Sequence, residues 1–206
     1  PRSRGLGDVY KRQLMYMGAI LEQNGHSVRI IDGEGLDLTP EAVLEEVKAP
    51  FPRLIGLATS STTLELDLAL VDRLKGQAKD AIVFITGSQG SKVPDLALEQ
   101  STVDAVTRGE PEITALEMAQ AIEKGGDPLA VDGLSIRRNG VFEHNEDRPM
   151  LEGDALDALP FPSRHLIATE LYGIPTMDGP MQTVQSSRGC PIYCTYCGYV
   201  LSLIHI

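Results

Sequence analysis

Cysteine is scarce in this sequence, and its distribution excludes one class of fold. The 206 residues contain three cysteines, and all of them lie between residues 190 and 197. An odd number of cysteines crowded into one short run cannot build a disulfide framework. The pattern instead predicts a metal or redox role in a reducing compartment, and therefore a cytoplasmic protein.

Long apolar runs and an excess of basic residues are missing as well. No stretch reaches the roughly 20 apolar residues that cross a bilayer, so no membrane span is expected. Acidic residues outnumber basic residues by 29 to 18, which gives a net charge of −11. An acidic chain disfavours a general surface for nucleic-acid phosphates. We therefore expect a small-molecule substrate and no nucleic-acid partner.

Both ends of the sequence match translated sequencing adapter. Residues 3–13 read in frame as a common transposase adapter, and residues 201–206 read as the end of its reverse complement. Such segments do not belong to the fold. We therefore expect residues 14–200 to be the natural segment, a fragment with neither of its natural termini.

Short apolar runs alternate with amphipathic helical patterns through the first 130 residues. We predict strands over four of these runs, residues 28–31, 54–58, 81–85 and 103–106. Helices are predicted to begin near residues 15, 39, 64, 93 and 113. Continuous apolar strands separated by amphipathic helices are typical of a parallel sheet with helices on both faces. The predicted fold class is therefore α/β.

The segments that follow these strands are small, polar or rich in glycine. In open parallel sheets, ligands bind at the carboxyl ends of the strands. Those ends are Asp32-Gly33, residues 59–63, residues 86–90 and Gly109-Glu110. We therefore expect this edge of the sheet to face a ligand.

The character of the sequence changes after residue 130. Residues 134–143 predict a β-hairpin that turns at Asn139-Gly140, and a proline-rich connector follows it. A further strand is predicted over residues 181–186, directly before the cysteines. The predicted divisions are residues 1–13 (adapter), 14–130 (α/β domain), 131–180 (hairpin and connector), 181–200 (start of a second domain) and 201–206 (adapter).

The three cysteines form the pattern C-x3-C-x2-C. Cys190, Cys194 and Cys197 can supply three thiolates to a [4Fe-4S] cluster, which leaves the fourth iron open to a small chelating molecule. The alternatives are a cysteine face on a helix, a zinc site and incidental cysteines. A proline after the first cysteine and glycines on either side of the run favour a loop over a helix. A zinc site would need a fourth ligand, for which His144 and His165 are the candidates.

The run from Ser187 to Cys197 closely resembles the signature of the radical S-adenosylmethionine (SAM) superfamily. Residues 159–164, Leu-Pro-Phe-Pro-Ser-Arg, resemble the connector that precedes the barrel in cobalamin-dependent members. Residues 17–32 and 108–112 also fit that subgroup. The resemblance covers essentially all of residues 14–200.

The resemblance implies three cofactors and their sites. A [4Fe-4S] cluster would cleave bound SAM, with Tyr196 and Gly198 near that molecule. Cobalamin would bind at the carboxyl edge of a Rossmann-like, flavodoxin-like sheet. Its expected contacts are Thr59, Ser60, Ser61, Thr62, Gly87, Ser88, Gly109 and Glu110. Two positions depart from the family pattern, because Ala58 replaces a serine and Thr86 replaces a glycine.

The resemblance also implies that parts of the parent enzyme lie outside this sequence. The first strand of the family's sheet would precede residue 14, and the loop after it is where a lower-axial histidine motif would lie. Most of a TIM-type barrel would follow residue 200. We therefore expect the fragment itself to be inactive. The parent enzyme would need an electron donor such as flavodoxin or ferredoxin.

Three functions are compatible with these residues. The first is a cobalamin-dependent radical SAM enzyme, either a methyltransferase or an enzyme of cyclisation or rearrangement. The second is a radical SAM methylthiotransferase, whose N-terminal domain would carry three further cysteines that residues 14–189 lack. The third is a non-catalytic binding module, which the changes at Ala58 and Thr86 suggest.

Overall fold

The computed structural model describes residues 8–87, 91–173, 179–180, 182, 184–188 and 195. Its helices are α1 (Asp8–Gln23), α2 (Pro40–Glu46), α3 (Leu64–Gln77), α4 (Pro94–Gln100), α5 (Pro111–Glu123) and α6 (Asp154–Asp157). Its strands are β1 (Leu54–Ala58), β2 (Ile82–Thr86), β3 (Ala105–Thr107), β4 (Leu134–Arg138) and β5 (Val141–His144). Within these ranges, no helix has the length and apolar character to cross a bilayer.

The five strands form one sheet in the order β1-β2-β3-β4-β5. The first three strands run parallel, and the hairpin β4–β5 adds two antiparallel strands beside β3. Asn139 and Gly140 both have positive φ, +52° and +81°, as a two-residue hairpin turn requires. The predicted α/β class and hairpin are confirmed. The hairpin belongs to the same sheet as the parallel strands.

Apolar side chains lie on both faces of the sheet. Successive strand residues point to opposite faces, and in these strands both sets are largely apolar. One face packs against α3 and α4 through Leu64, Leu68, Val71, Val83, Ile85, Ala97, Leu98, Val103 and Val106. The other face packs against α1 and α5 through Met17, Phe84, Ala105, Ala115, Met118, Leu134 and Ile136. β2 and β3 are therefore buried between two helical layers, whereas the edge strand β1 is only partly buried.

Gly56 and Phe84 face each other across the β1–β2 ladder. A Cβ atom at position 56 would lie 2.5 Å from Cζ of the Phe84 ring. The ring thus occupies the space that a side chain on β1 would fill.

Two strand predictions differ from the structure. Residues 28–31 have no strand assignment, although Ile31 packs against Leu44, Val47 and Leu74. An isolated extended segment has no neighbour to complete a backbone ladder, and an apolar run alone does not make a strand. Residues 181 and 183 of the predicted strand 181–186 lie outside the described residues, and the rest of it has no strand assignment.

The connector binds to α1 through Glu22 and the backbone carbonyl of Met15. The Ser163 hydroxyl donates to Glu22, Nε2 of His165 lies 3.0 Å from Oε1 of the same carboxylate, and the backbone N–H of Ser163 donates to the carbonyl of Met15 over 3.1 Å. The bond from Ser163, followed by the bond and charge of His165, holds the pKa of Glu22 below its ordinary value near 4.5. This contact fixes the connector against the first helix.

Replacement of Glu22 by glutamine is expected to lower stability more at neutral pH than in acid. A lowered folded-state pKa means that the carboxylate stabilises the fold above about pH 4.5, and that this contribution disappears as the pH falls through the folded value. We expect a loss of about 0.5–1.5 kcal/mol at pH 7 and a smaller loss near pH 3. Urea unfolding at both values measures it. Glu45→Gln, on the exposed side of α2, is the control, and an equal loss for Glu22→Gln at both pH values contradicts the prediction.

Candidate functional site

The carboxyl ends of β1, β2 and β3 lie side by side. We call the residues at these ends (59–63, 86–87 and 108–110) the rim. The parallel register places Ala58 beside Thr86 and Ile85 beside Val106. The three loops therefore leave the sheet at one edge, as the sequence predicts. This is the edge at which open α/β sheets bind ligands.

The loops after β1 and β2 touch through their backbones. The N–H of Thr59 donates to the carbonyl of Thr86 over 2.8 Å, which extends the ladder past the end of the strands. Gly87 has a φ of +123°, and a Cβ atom there would lie 2.1 Å from the carbonyl oxygen of Thr59. Only glycine fits this position, both for its φ and for the space.

A chain of hydroxyl groups organises the loop after β1. Oγ of Ser60 lies 3.0 Å from Oγ1 of both Thr62 and Thr63, and the N–H of Ser60 also donates to Thr63 over 3.2 Å. The Thr63 hydroxyl donates to Oδ2 of Asp67 over 2.7 Å. Burial raises the pKa of Asp67, and the bonds from Thr63 and Thr59 oppose that shift. The loop is thus tied to the first turn of α3.

The predicted cobalamin contacts on the first two loops divide into buried and exposed groups. Thr59 is 1% exposed and Ser60 is 8% exposed, so both lie behind the surface of the rim. Ser61 and Thr62 are exposed. Oγ1 of Thr86 is buried and has no hydrogen-bond partner among the described residues. The exposed hydroxyl groups of Ser61 and Thr62, together with the buried hydroxyl of Thr86, fit a large polar ligand such as the nucleotide part of cobalamin.

The loop after β3 carries a buried ionic cluster. Gly109 has a φ of +74°, and Oε2 of Glu110 accepts a hydrogen bond from the N–H of Leu151 over 2.6 Å. The guanidinium of Arg188 donates to Oε1 of Glu110 and to Oε1 of Glu112, each over 2.8 Å. Glu110, a predicted ligand contact, is therefore held by protein partners on both carboxylate oxygens.

Glu112 is the most buried member of this cluster. Its side chain is 2% exposed, and its Oε2 atom has no hydrogen-bond partner among the described residues. Burial raises the pKa of Glu112, while the charge and the hydrogen bond of Arg188 oppose the shift. The sequence patterns indicate no role for Glu112 or Arg188, although both lie in runs that resemble the cobalamin-dependent radical SAM family.

A second polar cluster fastens the hairpin to the loop after β3. Arg108 donates to the carbonyl of Leu134 over 2.5 Å, to the hydroxyl of Ser135 over 2.7 Å, to Asp147 over 2.8 Å and to the carbonyl of Asn145. The side chain of Arg108 is 13% exposed. One guanidinium thus satisfies backbone groups at both ends of the β4–β5 hairpin.

The two histidines considered as a fourth zinc ligand both have protein partners. Nδ1 of His144 lies 2.9 Å from the Ser135 hydroxyl, and its Nε2 lies 3.5 Å from Asp95. His165 pairs with Glu22. The described contacts of both imidazoles are therefore to protein side chains.

Six predicted site residues lie outside the described part of the chain. They are Ser88, Cys190, Cys194, Tyr196, Cys197 and Gly198. The cluster ligands and the SAM contacts therefore stay predictions from the sequence.

The parallel strands, the helices on both faces and the polar rim define a Rossmann-like ligand-binding domain. A family model of the B12 binding domain matches residues 4–119, which is more than half of the chain. The chain therefore belongs to the B12-binding domain family. The prediction that the α/β domain belongs to the cobalamin-binding class is confirmed.

Curated relatives match nearly all of this chain. The uncharacterized methyltransferase PH0819 of Pyrococcus horikoshii is 32% identical over 187 residues, which cover 89% of this chain and 39% of that protein. The anaerobic magnesium-protoporphyrin IX monomethyl ester cyclase of Synechocystis sp. is 28% identical over 193 residues, which cover 90% of this chain and 37% of that protein. The chain thus spans less than half the length of these relatives.

Solved structures of two radical enzymes share the fold. Apo OxsB, a cobalamin-dependent S-adenosylmethionine radical enzyme, matches with a TM-score of 0.69 at 20% identity, over 86% of this chain and 24% of that chain. The methyltransferase TsrM from Kitasatospora setae, with cobalamin and a [4Fe-4S] cluster bound, matches with a TM-score of 0.59 at 19% identity, over 69% of this chain and 27% of that chain.

Proposed function

We propose that this chain is the N-terminal part of a radical SAM enzyme in which the sheet domain holds cobalamin and the three cysteines hold a [4Fe-4S] cluster. The observation that carries the proposal is that one chain contains a B12-binding domain followed by the C-x3-C-x2-C run. The parent reaction is methyl transfer or a cyclisation or rearrangement, and the relatives' names include a methyltransferase and a cyclase.

The chain's own residues would bind and orient these groups. Cys190, Cys194 and Cys197 would coordinate three irons, which leaves the fourth iron for the amino and carboxylate groups of SAM. The exposed hydroxyls of Ser61 and Thr62 would hydrogen-bond the polar tail of cobalamin. When bound, the cluster supplies an electron for the cleavage of SAM, and cobalamin supplies a cobalt centre that can carry a carbon group.

A longer form of the protein, containing the complete reading frame, tests this proposal. After anaerobic reconstitution with iron, sulfide and hydroxocobalamin, we expect about four irons per chain and one tightly held corrinoid, measured by iron analysis and by absorption spectra after gel filtration. Cobalamin-free protein with an intact cluster contradicts the sheet-domain half of the proposal. Protein that holds corrinoid but no iron contradicts the cysteine half.

Variants separate the two halves. Cys194→Ser is expected to lose most of the iron and to keep the corrinoid. Ser61→Tyr, on the exposed part of the rim, is expected to weaken corrinoid binding at least about tenfold, equivalent to 1.4 kcal/mol, and to keep the cluster. Lys79→Tyr, exposed just before β2 at the opposite edge of the sheet, is the control and should keep both. Loss of corrinoid in the Lys79 variant would contradict the assignment to the rim.

A further inference from the structure

Arg188 connects the segment before the cysteines to the rim. Its guanidinium donates to Glu110 and Glu112, each over 2.8 Å, and its Cζ lies 4.9 Å from the centroid of the Tyr16 ring. We call these four residues the Arg188 bridge. They come from α1, from the loop after β3, from the first turn of α5 and from the segment two residues before Cys190.

The Arg188 bridge is centred on the buried Glu112 and its other members are partly buried, whereas the residues that lead into it are exposed. The side chains of Arg188 and Glu110 are 13% and 18% exposed, and that of Glu112 is 2% exposed. Residues 184–187 are all exposed, and Val184 is 82% exposed. Within residues 184–188, Arg188 is therefore the side chain that inserts into the sheet domain.

The chemistry of the bridge requires arginine. A guanidinium presents separate N–H groups in a rigid fork, so it can donate to two carboxylates at once. A lysine ammonium keeps the charge but is a single point, and it does not reproduce this two-sided geometry over an aromatic ring. Removal of one partner from a buried ion pair leaves an uncompensated charge, so the two glutamates depend on Arg188.

We propose that the Arg188 bridge sets the position of the cysteine segment relative to the rim, and that Arg188 is a positioning residue for the cluster site. Glu110 extends the same attachment to the connector, because its other oxygen accepts from the N–H of Leu151. The proposal deepens the proposed function and rests on it, since the position of the cysteines matters to the reaction when they hold a cluster. The bridge itself can be tested without any cofactor.

The three cysteines of the chain are reporters for the first test. In the cofactor-free 206-residue chain, under reducing anaerobic conditions, iodoacetamide labelling followed by mass spectrometry gives a rate for each cysteine. We expect Arg188→Met to raise the labelling rate of Cys190 about tenfold, a factor equivalent to 1.4 kcal/mol. Arg188→Lys should give a smaller increase, and Glu112→Gln should also increase the rate because it removes one charge from the pair.

Arg138 supplies a matched control. It also contacts two carboxylates, Asp127 at 2.8 Å and Glu143 at 3.5 Å, but its side chain is 43% exposed and it lies on the hairpin. Arg138→Met should leave the labelling rates unchanged. Urea unfolding of every variant identifies increases that come only from general loss of structure. Equal rates for Cys190 in wild type, Arg188→Met and Arg138→Met overturn the proposal, as does an increase that follows global stability alone.

The second test uses the longer protein, reconstituted with iron and sulfide as above. The electron paramagnetic resonance spectrum of the reduced cluster should change in Arg188→Lys relative to wild type and to Arg138→Lys at equal iron content. An unchanged spectrum overturns the positioning role at the cluster. If the wild-type protein assembles no cluster, the proposed function fails, while the labelling rates still decide whether the bridge holds the segment.

Discussion

Replacement of Gly87 by alanine is expected to destabilise the fold by about 2–6 kcal/mol. The backbone there has a φ of +123°, a region whose occupation by a residue with a Cβ costs about 1–3 kcal/mol. The new Cβ would also lie 2.1 Å from the carbonyl oxygen of Thr59, and relief of such overpacking costs about 1–3 kcal/mol more. Because the neighbouring atom belongs to the backbone, it cannot rotate away. Urea unfolding followed by circular dichroism measures the loss.

The same change in α3 is expected to have the opposite sign. Gly76 lies in the last turn of the helix, and nothing lies within 4 Å of the position that a methyl group would take there. Gly76→Ala should therefore stabilise the chain by up to about 1 kcal/mol, through a lower entropy of the unfolded state. Equal effects of the two substitutions would show that the close approach of Thr59 and Gly87 does not shape the rim.

Replacement of Arg108 by methionine is expected to lower the free energy of unfolding by about 1–3 kcal/mol, the cost of leaving a buried polar group without its hydrogen-bond partner. Its side chain is 13% exposed, and the substitution would remove the donor to the carbonyl of Asn145. The carbonyl of Leu134 would lose one of two donors, because it also accepts from the N–H of Asn145 over 2.9 Å. Each unsatisfied buried acceptor costs about 1–3 kcal/mol. Methionine keeps most of the apolar volume, so the loss reports on the polar contacts.

Arg138→Met is the control for this prediction as well, because the Arg138 side chain lies on the hairpin, is 43% exposed and pairs with two carboxylates that are 45% and 47% exposed. Exposed ion pairs contribute little to stability, since water screens them. We expect its unfolding midpoint to stay close to that of wild type. A similar midpoint for Arg108→Met would contradict the role of Arg108 in attaching the hairpin. Hydrogen exchange of the β4 amides should rise selectively in the Arg108 variant.

Local patterns are enough to predict most elements of the sheet domain. The strand predicted at 54–58 is β1, and that at 81–85 is β2 displaced by one residue. Thr39 has the residue type and place of a cap for α2, and its Oγ1 accepts a hydrogen bond from the N–H of Ala42 over 3.3 Å. Caps, prolines at helix starts and turns such as Asn139-Gly140 act within a few residues, so the sequence records them directly.

Pairings between distant residues could not be predicted in the same way. The apolar run at 28–31 has the composition of a strand, but strand formation depends on a neighbour that local sequence does not supply. The contact between Arg188 and Glu112 joins residues 76 positions apart. The sequence singled out the runs that contain each residue, yet nothing in either run says that they meet.

The candidate site is predicted from topology rather than from side chains. The rule for open parallel sheets placed the segments after β1, β2 and β3 at one edge of the sheet, whereas Asp32-Gly33, the fourth predicted strand end, does not follow a strand. The rule also did not separate buried from exposed members of one loop. Thr59 and Ser61 are both small and polar, and only the path of the backbone hides the first and presents the second. The difference in exposure between these two residues is therefore set by the tertiary structure.

The Phe84 ring that lies across Gly56 has an evolutionary consequence. Since the two positions share one volume, neither can change in size alone without overlap or a void. Related chains that carry a larger residue at the first position should carry a smaller one at the second, so the two columns of a family alignment should covary. Such a pair would mark the alignment of the first two parallel strands even in relatives whose overall identity is low.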